Sequence, residues 1–175
     1  MVDTLGVDIG GVIISRINNG TDTSFFSNNY LKTTAVPGVF EALRRLVSER
    51  FKEQVYLVSK CGLETQRKSR EWLQHQEFYK KTGIKPEHVE FCLKRRDKAA
   101  ICEKLGVTHF IDDQLEVFSY LTAVPNKILF NPIELDIERY QSAYDQVKRV
   151  ESWPEVEELL LSPKLAATID TKLSN

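Results

Sequence analysis

Four short stretches of this sequence place reactive side chains at, or a few residues beyond, the end of an apolar run. They are Val7-Asp8-Ile9-Gly10-Gly11-Val12, Val58-Ser59-Lys60, Asp97-Lys98 and Ile111-Asp112-Asp113. In chain order they offer a carboxylate, a hydroxyl, an ammonium and a pair of carboxylates. A magnesium ion prefers carboxylate oxygens and fills its remaining positions with water and phosphate oxygens. A carboxylate such as Asp8 can also be a nucleophile, splitting one hard displacement into two easier ones. The neighbouring acids Asp112 and Asp113 repel each other unless a cation or proton lies close by. Lys98 follows Asp97, a good N-cap, so it stands in a first helical turn whose dipole opposes it by about 0.3–1 kcal/mol; an anion nearby would explain it. Gly10 and Gly11 let the backbone bend so that amides and carbonyls can face a ligand. Each residue taken alone has a plainer reading. Asp8 could cap a turn, the glycines could make a tight one, Asp112-Asp113 could cap the next helix, Ser59 could simply end a strand, and Lys98 could be solvated.

The elements that must position these groups alternate along the chain. Strands are expected at Leu5–Asp8, Gln54–Ser59, Val89–Leu93, Thr108–Ile111 and Lys127–Phe130. Helices are expected after Pro37-Gly38, where Val39, Leu43, Leu46 and Val47 share a face, and from Leu63 to about Lys80, ended by Gly83 and Pro86. Further helices are read at Asp97–Leu105, Leu115–Leu121, Ile137–Val147 and Trp153–Leu161, the last opened by Ser152 and Pro154. Residues 15–35 are rich in Asn, Ser and Thr and read as an excursion loop with at most one helical turn. Continuously apolar strands alternating with helices imply an α/β fold, a three-layer parallel sheet with helices on both faces. Functional groups of such sheets collect beyond the carboxyl ends of the strands, where all four stretches fall. We expect one core over residues 1–161, an insertion at about 15–36, and a C-terminal tail at 162–175.

The 175 residues suffice for one well-buried core, and 42% apolar with 28% charged residues fits a globular domain. With a net charge of −1, the chain as a whole has no pull toward nucleic acid or membrane, and neither is expected as a partner. Charge is nonetheless local, with one basic group at Lys60, Arg67, Lys68 and Arg70 and another at Lys94, Arg95, Arg96 and Lys98. Cys61, Cys92 and Cys102 are odd in number and read as reduced thiols, so a cytoplasmic location is expected. No apolar stretch approaches the roughly 20 residues of a membrane span, and the N-terminus lacks signal-peptide features. His75, His88 and His109 have no metal-ligand spacing and are expected to be structural.

In the order Asp, Ser, Lys, Asp-Asp at successive strand ends, the chain resembles the haloacid dehalogenase (HAD) superfamily over about residues 4–161. Val7-Asp8-Ile9-Gly10-Gly11-Val12 looks like its first motif, Leu57-Val58-Ser59 its second, Lys98 its third and Phe110-Ile111-Asp112-Asp113 its fourth. The resemblance implies a Rossmann-like core and Mg2+ as cofactor. It implies Asp8 as nucleophile and metal ligand, the Gly10 carbonyl and Asp112 as the other ligands, and Asp113 as an acid orienting a metal-bound water. Lys98 and Ser59 would hold phosphoryl oxygens, with Lys60 and Gly11 also on the substrate side. Lys94 is the alternative third-motif lysine, since it lies directly at the strand end.

One departure stands out. Typical phosphatases of this superfamily carry a second Asp where Gly10 stands, to protonate the leaving oxygen and then activate water, although some members with Gly there still resemble phosphatases. General acid–base help is worth about 10²–10⁴-fold. Its absence implies weak or selective turnover, a substrate with a good leaving group, or an acid supplied from elsewhere, with Asp22 the first candidate. The expected function is a Mg-dependent phosphatase acting through an aspartyl-phosphate on a small phosphorylated metabolite. The alternative is a catalytically silent relative that binds a phosphorylated ligand or protein. A dehalogenase would leave the acidic pair unexplained. The excursion is too short for an independent cap, although Phe25, Phe26, Tyr30 and Leu31 could form a small lid. The open site could otherwise be closed by a second subunit in a homodimer.

Overall fold

Strands buried on both faces need a helical layer on each side, and the computed structural model, which describes residues 2–16, 25 and 27–162, supplies both. Among the described residues six strands form one sheet: β1 (Leu5–Val7), β2 (Val55–Lys60), β3 (Val89–Cys92), β4 (His109–Asp112), β5 (Asn126–Phe130) and β6 (Val147–Val150). Their order is β3-β2-β1-β4-β5-β6 and every pairing is parallel. The centre of the sheet is thus β1, flanked by β2 and β4, with Val7 level with Leu57 on one side and Ile111 on the other. That register brings the ends of three strands side by side.

The helices are α1 (Val39–Leu46), α2 (Leu63–His75), α3 (Phe78–Thr82), α4 (Lys98–Leu105), α5 (Leu115–Tyr120), α6 (Glu134–Arg139), α7 (Gln141–Tyr144) and α8 (Trp153–Leu161). Alternate strand residues point to opposite layers. Leu57, Ile111, Ile128 and Phe130 join a core with Leu43 of α1, Trp72 of α2, Phe78 of α3 and Trp153 of α8. Val58, Phe110 and Leu129 join a second core with Cys102 of α4, Leu115 and Phe118 of α5 and Ala143 of α7. The predicted α/β class, a three-layer parallel sheet, is therefore the observed one.

Three local expectations are corrected. The segment read as one helix over Ile137–Val147 is two short helices followed by a sixth strand. Val147-Lys148-Arg149-Val150 occupies the edge of the sheet with Lys148 and Arg149 exposed, and charge on an edge strand blunts further pairing. The helix expected over Leu63–Lys80 breaks at Glu77, whose φ of 54° is left-handed. The break turns Phe78 fully into the core, with its ring 5.9 Å from that of Phe40. Asp97 does not cap α4 with its side chain: a 3-10 turn at Arg95–Asp97 runs directly into the helix. The helical path to Lys98 therefore begins earlier than expected, which weakens the dipole argument made from sequence.

The N-cap at Ser152 forms as expected, its side chain accepting from the Glu155 amide. The excursion after the first strand is tied at its root. Ile14 bridges Ala35, the Ser15 amide donates to the Thr34 carbonyl at 2.9 Å, and Val36 donates to Ile13 at 2.8 Å. One short 3-10 turn lies at Tyr30–Lys32. Asp22 and Phe26, named above as a substitute acid and a lid residue, lie outside the described residues, as does the tail beyond Ser162. No helix among the described residues is long and apolar enough to cross a membrane.

Candidate active site and metal centre

Asp8 immediately follows β1, and its amide donates to the Ile111 carbonyl at 2.9 Å, so backbone pairing fixes it beside the end of β4. The chain then turns tightly, with Ile13 and Ile14 donating to the Ile9 carbonyl at 2.9 and 3.0 Å. Trp153 of α8 donates its indole N–H to the Val12 carbonyl at 2.8 Å, which anchors that turn to the first core. At the end of β4, Asp112 is fully buried and Asp113 is 1% exposed. Asp112 Oδ1 accepts from the Gln114 amide at 2.9 Å, so the acid also shapes the entry to α5.

Lys98 reaches this point from the opposite layer. Its ammonium donates to Asp112 Oδ2 at 2.7 Å and to Asp8 Oδ1 at 3.1 Å, with only 2% of the residue exposed. Burial works against its charge, but the carboxylates of Asp112 and Asp8 override that and hold the ammonium above its ordinary range. For Asp112, burial and then the charge of Asp8 push the carboxyl up to about 7, against the opposing pull of Lys98. Two buried carboxylates thus share a single ammonium. Lys94, the alternative lysine, is exposed and does not line the cavity described below.

Asp8, Asp112 and Asp113 each place a carboxylate oxygen within 4.8 Å of the other two. Neither oxygen of Asp113 has a hydrogen-bonding partner among the described residues, although the Arg16 guanidinium touches Oδ2. Three buried carboxyl groups thus face two cations, Lys98 and Arg16, and one negative charge is in excess once Asp112 ionises. Buried polar groups without partners are costly, and a hard divalent cation with its waters would satisfy both the charge and the lone pairs. The residues present fit magnesium.

The cluster opens into a cavity of about 580 Å³. Ser59 and Lys60 line it as the end of β2, together with Gly10, Arg16, Lys98 and Arg95. Ile14, Phe25 and Val117 give it apolar walls, and Thr33, Thr65 and Ser69 contribute hydroxyl-bearing ones. Gly11, read from sequence both as a turn glycine and as a substrate-side residue, does not line the cavity. Its amide donates to the Ile14 carbonyl at 2.8 Å, and its φ of 79° makes it the pivot of the turn, so that N–H is committed. Gly10 has an ordinary φ and open space where a Cβ would stand.

Of Lys94, Arg95 and Arg96 in the second basic group, Arg95 lines the cavity and pairs with Glu116 at 2.8 Å, while Lys94 and Arg96 are exposed outside it. Arg16 was not anticipated, because a single arginine in a polar loop has no periodicity to mark it. His88 stacks on Tyr56 at 4.2 Å and bonds the Val55 carbonyl through Nδ1 at 3.1 Å, just before β3 and so at the opposite end of the parallel strands from the acids. Cys61, Cys92 and Cys102 are free thiols, and burial raises the pKa of each, Cys102 to about 12.

No protein-family profile matches the sequence, and no curated protein is detectably similar to it. Solved structures are. One from Burkholderia xenovorans, described as a haloacid dehalogenase-like hydrolase, superposes with a TM-score of 0.52 at 16% identity over 74% of this chain. The match takes in 60% of that protein's length. A second, the HAD domain of the effector protein Lem4 from Legionella pneumophila, gives a TM-score of 0.48 at 11% identity over 92% of this chain and 94% of its own. With its parallel sheet and two helical layers, the chain has the haloacid dehalogenase-like fold.

Proposed function

We propose that this chain is a magnesium-dependent phosphohydrolase that works through an aspartyl-phosphate on a small phosphorylated metabolite. The observation that carries the reading is the ammonium of Lys98 held between Asp8 and Asp112, with Asp113 in the same cluster, and Asp8, Lys98 and Asp113 lining one cavity. Asp8, Asp112 and the Gly10 carbonyl would hold the magnesium ion, and Asp113 would accept from its water. Bound there, the ion would neutralise charge on the phosphoryl oxygens and on the acids around it.

Lys98 engages Oδ1 of Asp8 and so leaves Oδ2 as the attacking oxygen. That oxygen forms a bond to phosphorus as the bond to the leaving oxygen breaks. Water then attacks phosphorus, its proton passing to solvent, as the bond from Asp8 to phosphorus breaks and inorganic phosphate leaves the free carboxylate. Ser59 and Lys60, on the cavity wall, would hold the phosphoryl oxygens in line with Asp8. A cavity of about 580 Å³ with mixed apolar and hydroxyl-bearing walls supports a metabolite-sized substrate. Position 10 cannot protonate the departing oxygen, which favours acyl, aryl or anomeric phosphates, whose leaving groups need little help.

The test is hydrolysis of an activated aryl phosphate with and without magnesium, beside Asp8→Asn. Metal-dependent turnover that the substitution abolishes supports the enzyme. Gly10 favours a second reading, a silent relative that binds a phosphorylated ligand or protein partner. Ligand binding without turnover at any magnesium concentration would establish that reading in place of the first.

A further inference from the structure

We propose that Arg16 is a movable counter-charge of the carboxylate cluster: it rests on Asp113 when no cation is bound and turns to the phosphoryl group when one is. The proposal rests on the metal site described above. Asp113 is 1% exposed and has no hydrogen bond among the described residues, so the Arg16 guanidinium supplies its charge compensation. The fold makes room for that contact. A Cβ on Gly11 would collide with Asp113 Oδ2 and Arg16 Nε, and would lie 2.8 Å from Arg16 Nη2. The first-motif turn therefore leaves space where the pair sits.

Two of the other cations at the cavity are firmly held. Lys98 is buried and fixed from two sides, and Arg95 is committed to Glu116. The Arg16 side chain is 43% exposed and lines the same cavity as Ser59 and Lys60. A guanidinium has five donors in a planar fork, and that geometry suits a phosphoryl dianion as well as a carboxylate. A cation entering the cluster meets the positive charge of Arg16 within a few ångströms. Metal affinity and anion affinity are then set in opposite directions by one residue.

The experiment titrates the full chain with magnesium chloride alone, and then with inorganic phosphate at saturating magnesium, by calorimetry. Arg16→Gln is expected to bind magnesium about tenfold more tightly, since a partly screened unit charge has been removed. It is expected to bind phosphate about tenfold more weakly, since a charge-assisted contact has been lost. Arg16→Lys keeps the charge and should leave magnesium affinity near that of the wild type. Opposite shifts of this kind are not what general loosening of the fold produces. Magnesium affinity that is unchanged or weaker in Arg16→Gln, or phosphate affinity that is unchanged, overturns the proposal. So does a wild-type chain that binds no divalent cation. The titrations require no turnover, so a metal-binding but inactive wild type would count against the phosphohydrolase alone.

Discussion

Replacing Lys98 with Met keeps most of the side-chain volume and removes the one charge shared by Asp8 and Asp112. Two carboxylates, 6% and 0% exposed, are then left facing each other with ligand oxygens within 4.8 Å. At that separation and an effective dielectric near 20 their repulsion is about 3 kcal/mol. Breaking a buried pair by removing one partner costs about 3–5 kcal/mol by general experience, so the two routes agree. The cost has a sign in pH. Asp112 already has its carboxyl raised from 3.8 to about 7, so the folded state binds a proton that the unfolded state does not hold between those values. Stability from that proton is present at low pH and lost as pH rises through the folded pKa. The variant should therefore lose about 3–5 kcal/mol at pH 8 without metal, and less at pH 6, where the proton substitutes for Lys98. Urea unfolding followed by the fluorescence of the buried Trp72 and Trp153 reads this directly. Saturating magnesium should restore more stability to the variant than it adds to the wild type, because binding to the folded state alone is stabilising and no ammonium now competes. A loss under about 1 kcal/mol at pH 8, or an equal magnesium increment in both proteins, would refute the shared-ammonium argument.

Three other outcomes follow from the same structure. Gly10→Asp meets open space, and it should raise turnover of an alkyl phosphate by about 10²-fold or more while leaving an aryl phosphate within a few-fold. Equal gains on both substrates, or none while magnesium still binds, would show that a missing acid is not what limits the chain. His109 is held down to about 4 by burial and then by the Arg50 guanidinium, against a weaker upward pull from Asp3. The unfolded chain takes up a proton there before the folded one does, so stability falls as pH drops from about 6.5 toward 4, by about 1–2 kcal/mol after allowance for solvent screening. His109→Gln should remove that share of the acid sensitivity in urea melts at pH 7 and 4.5. Trp153→Phe leaves the buried Val12 carbonyl without its indole donor, and it should cost about 1–3 kcal/mol in the same assay.

The strand ends were readable because their chemistry sits at breaks in apolar runs, and a parallel sheet forces such breaks onto one edge. Asp8, Ser59, Asp112 and Asp113 could be found that way. The choice between Lys98 and Lys94 could not, since it depends on how far a 3-10 turn and one helical turn carry a side chain back toward the sheet. β6 was hidden because Lys148 and Arg149 suit an exposed edge, and a charged edge strand resembles the polar face of a helix. The break at Glu77 was hidden too, because a left-handed non-glycine residue is imposed by the packing of Phe78 and not by local preference. Arg16 emerges only once distant residues share space.

The pairing of Ile14 with Ala35, and of Ser15 with Thr34, stitches together the two ends of the segment between them. Arg16, Phe25 and Thr33 of that segment line the cavity, so a change in its length would alter what can enter while the carboxylates stay where they are. Closure entropy makes such changes inexpensive, at about 0.6 kcal/mol for each doubling in length. Selectivity and reactivity can in this way drift apart over evolutionary time, with the stitch acting as the boundary between them.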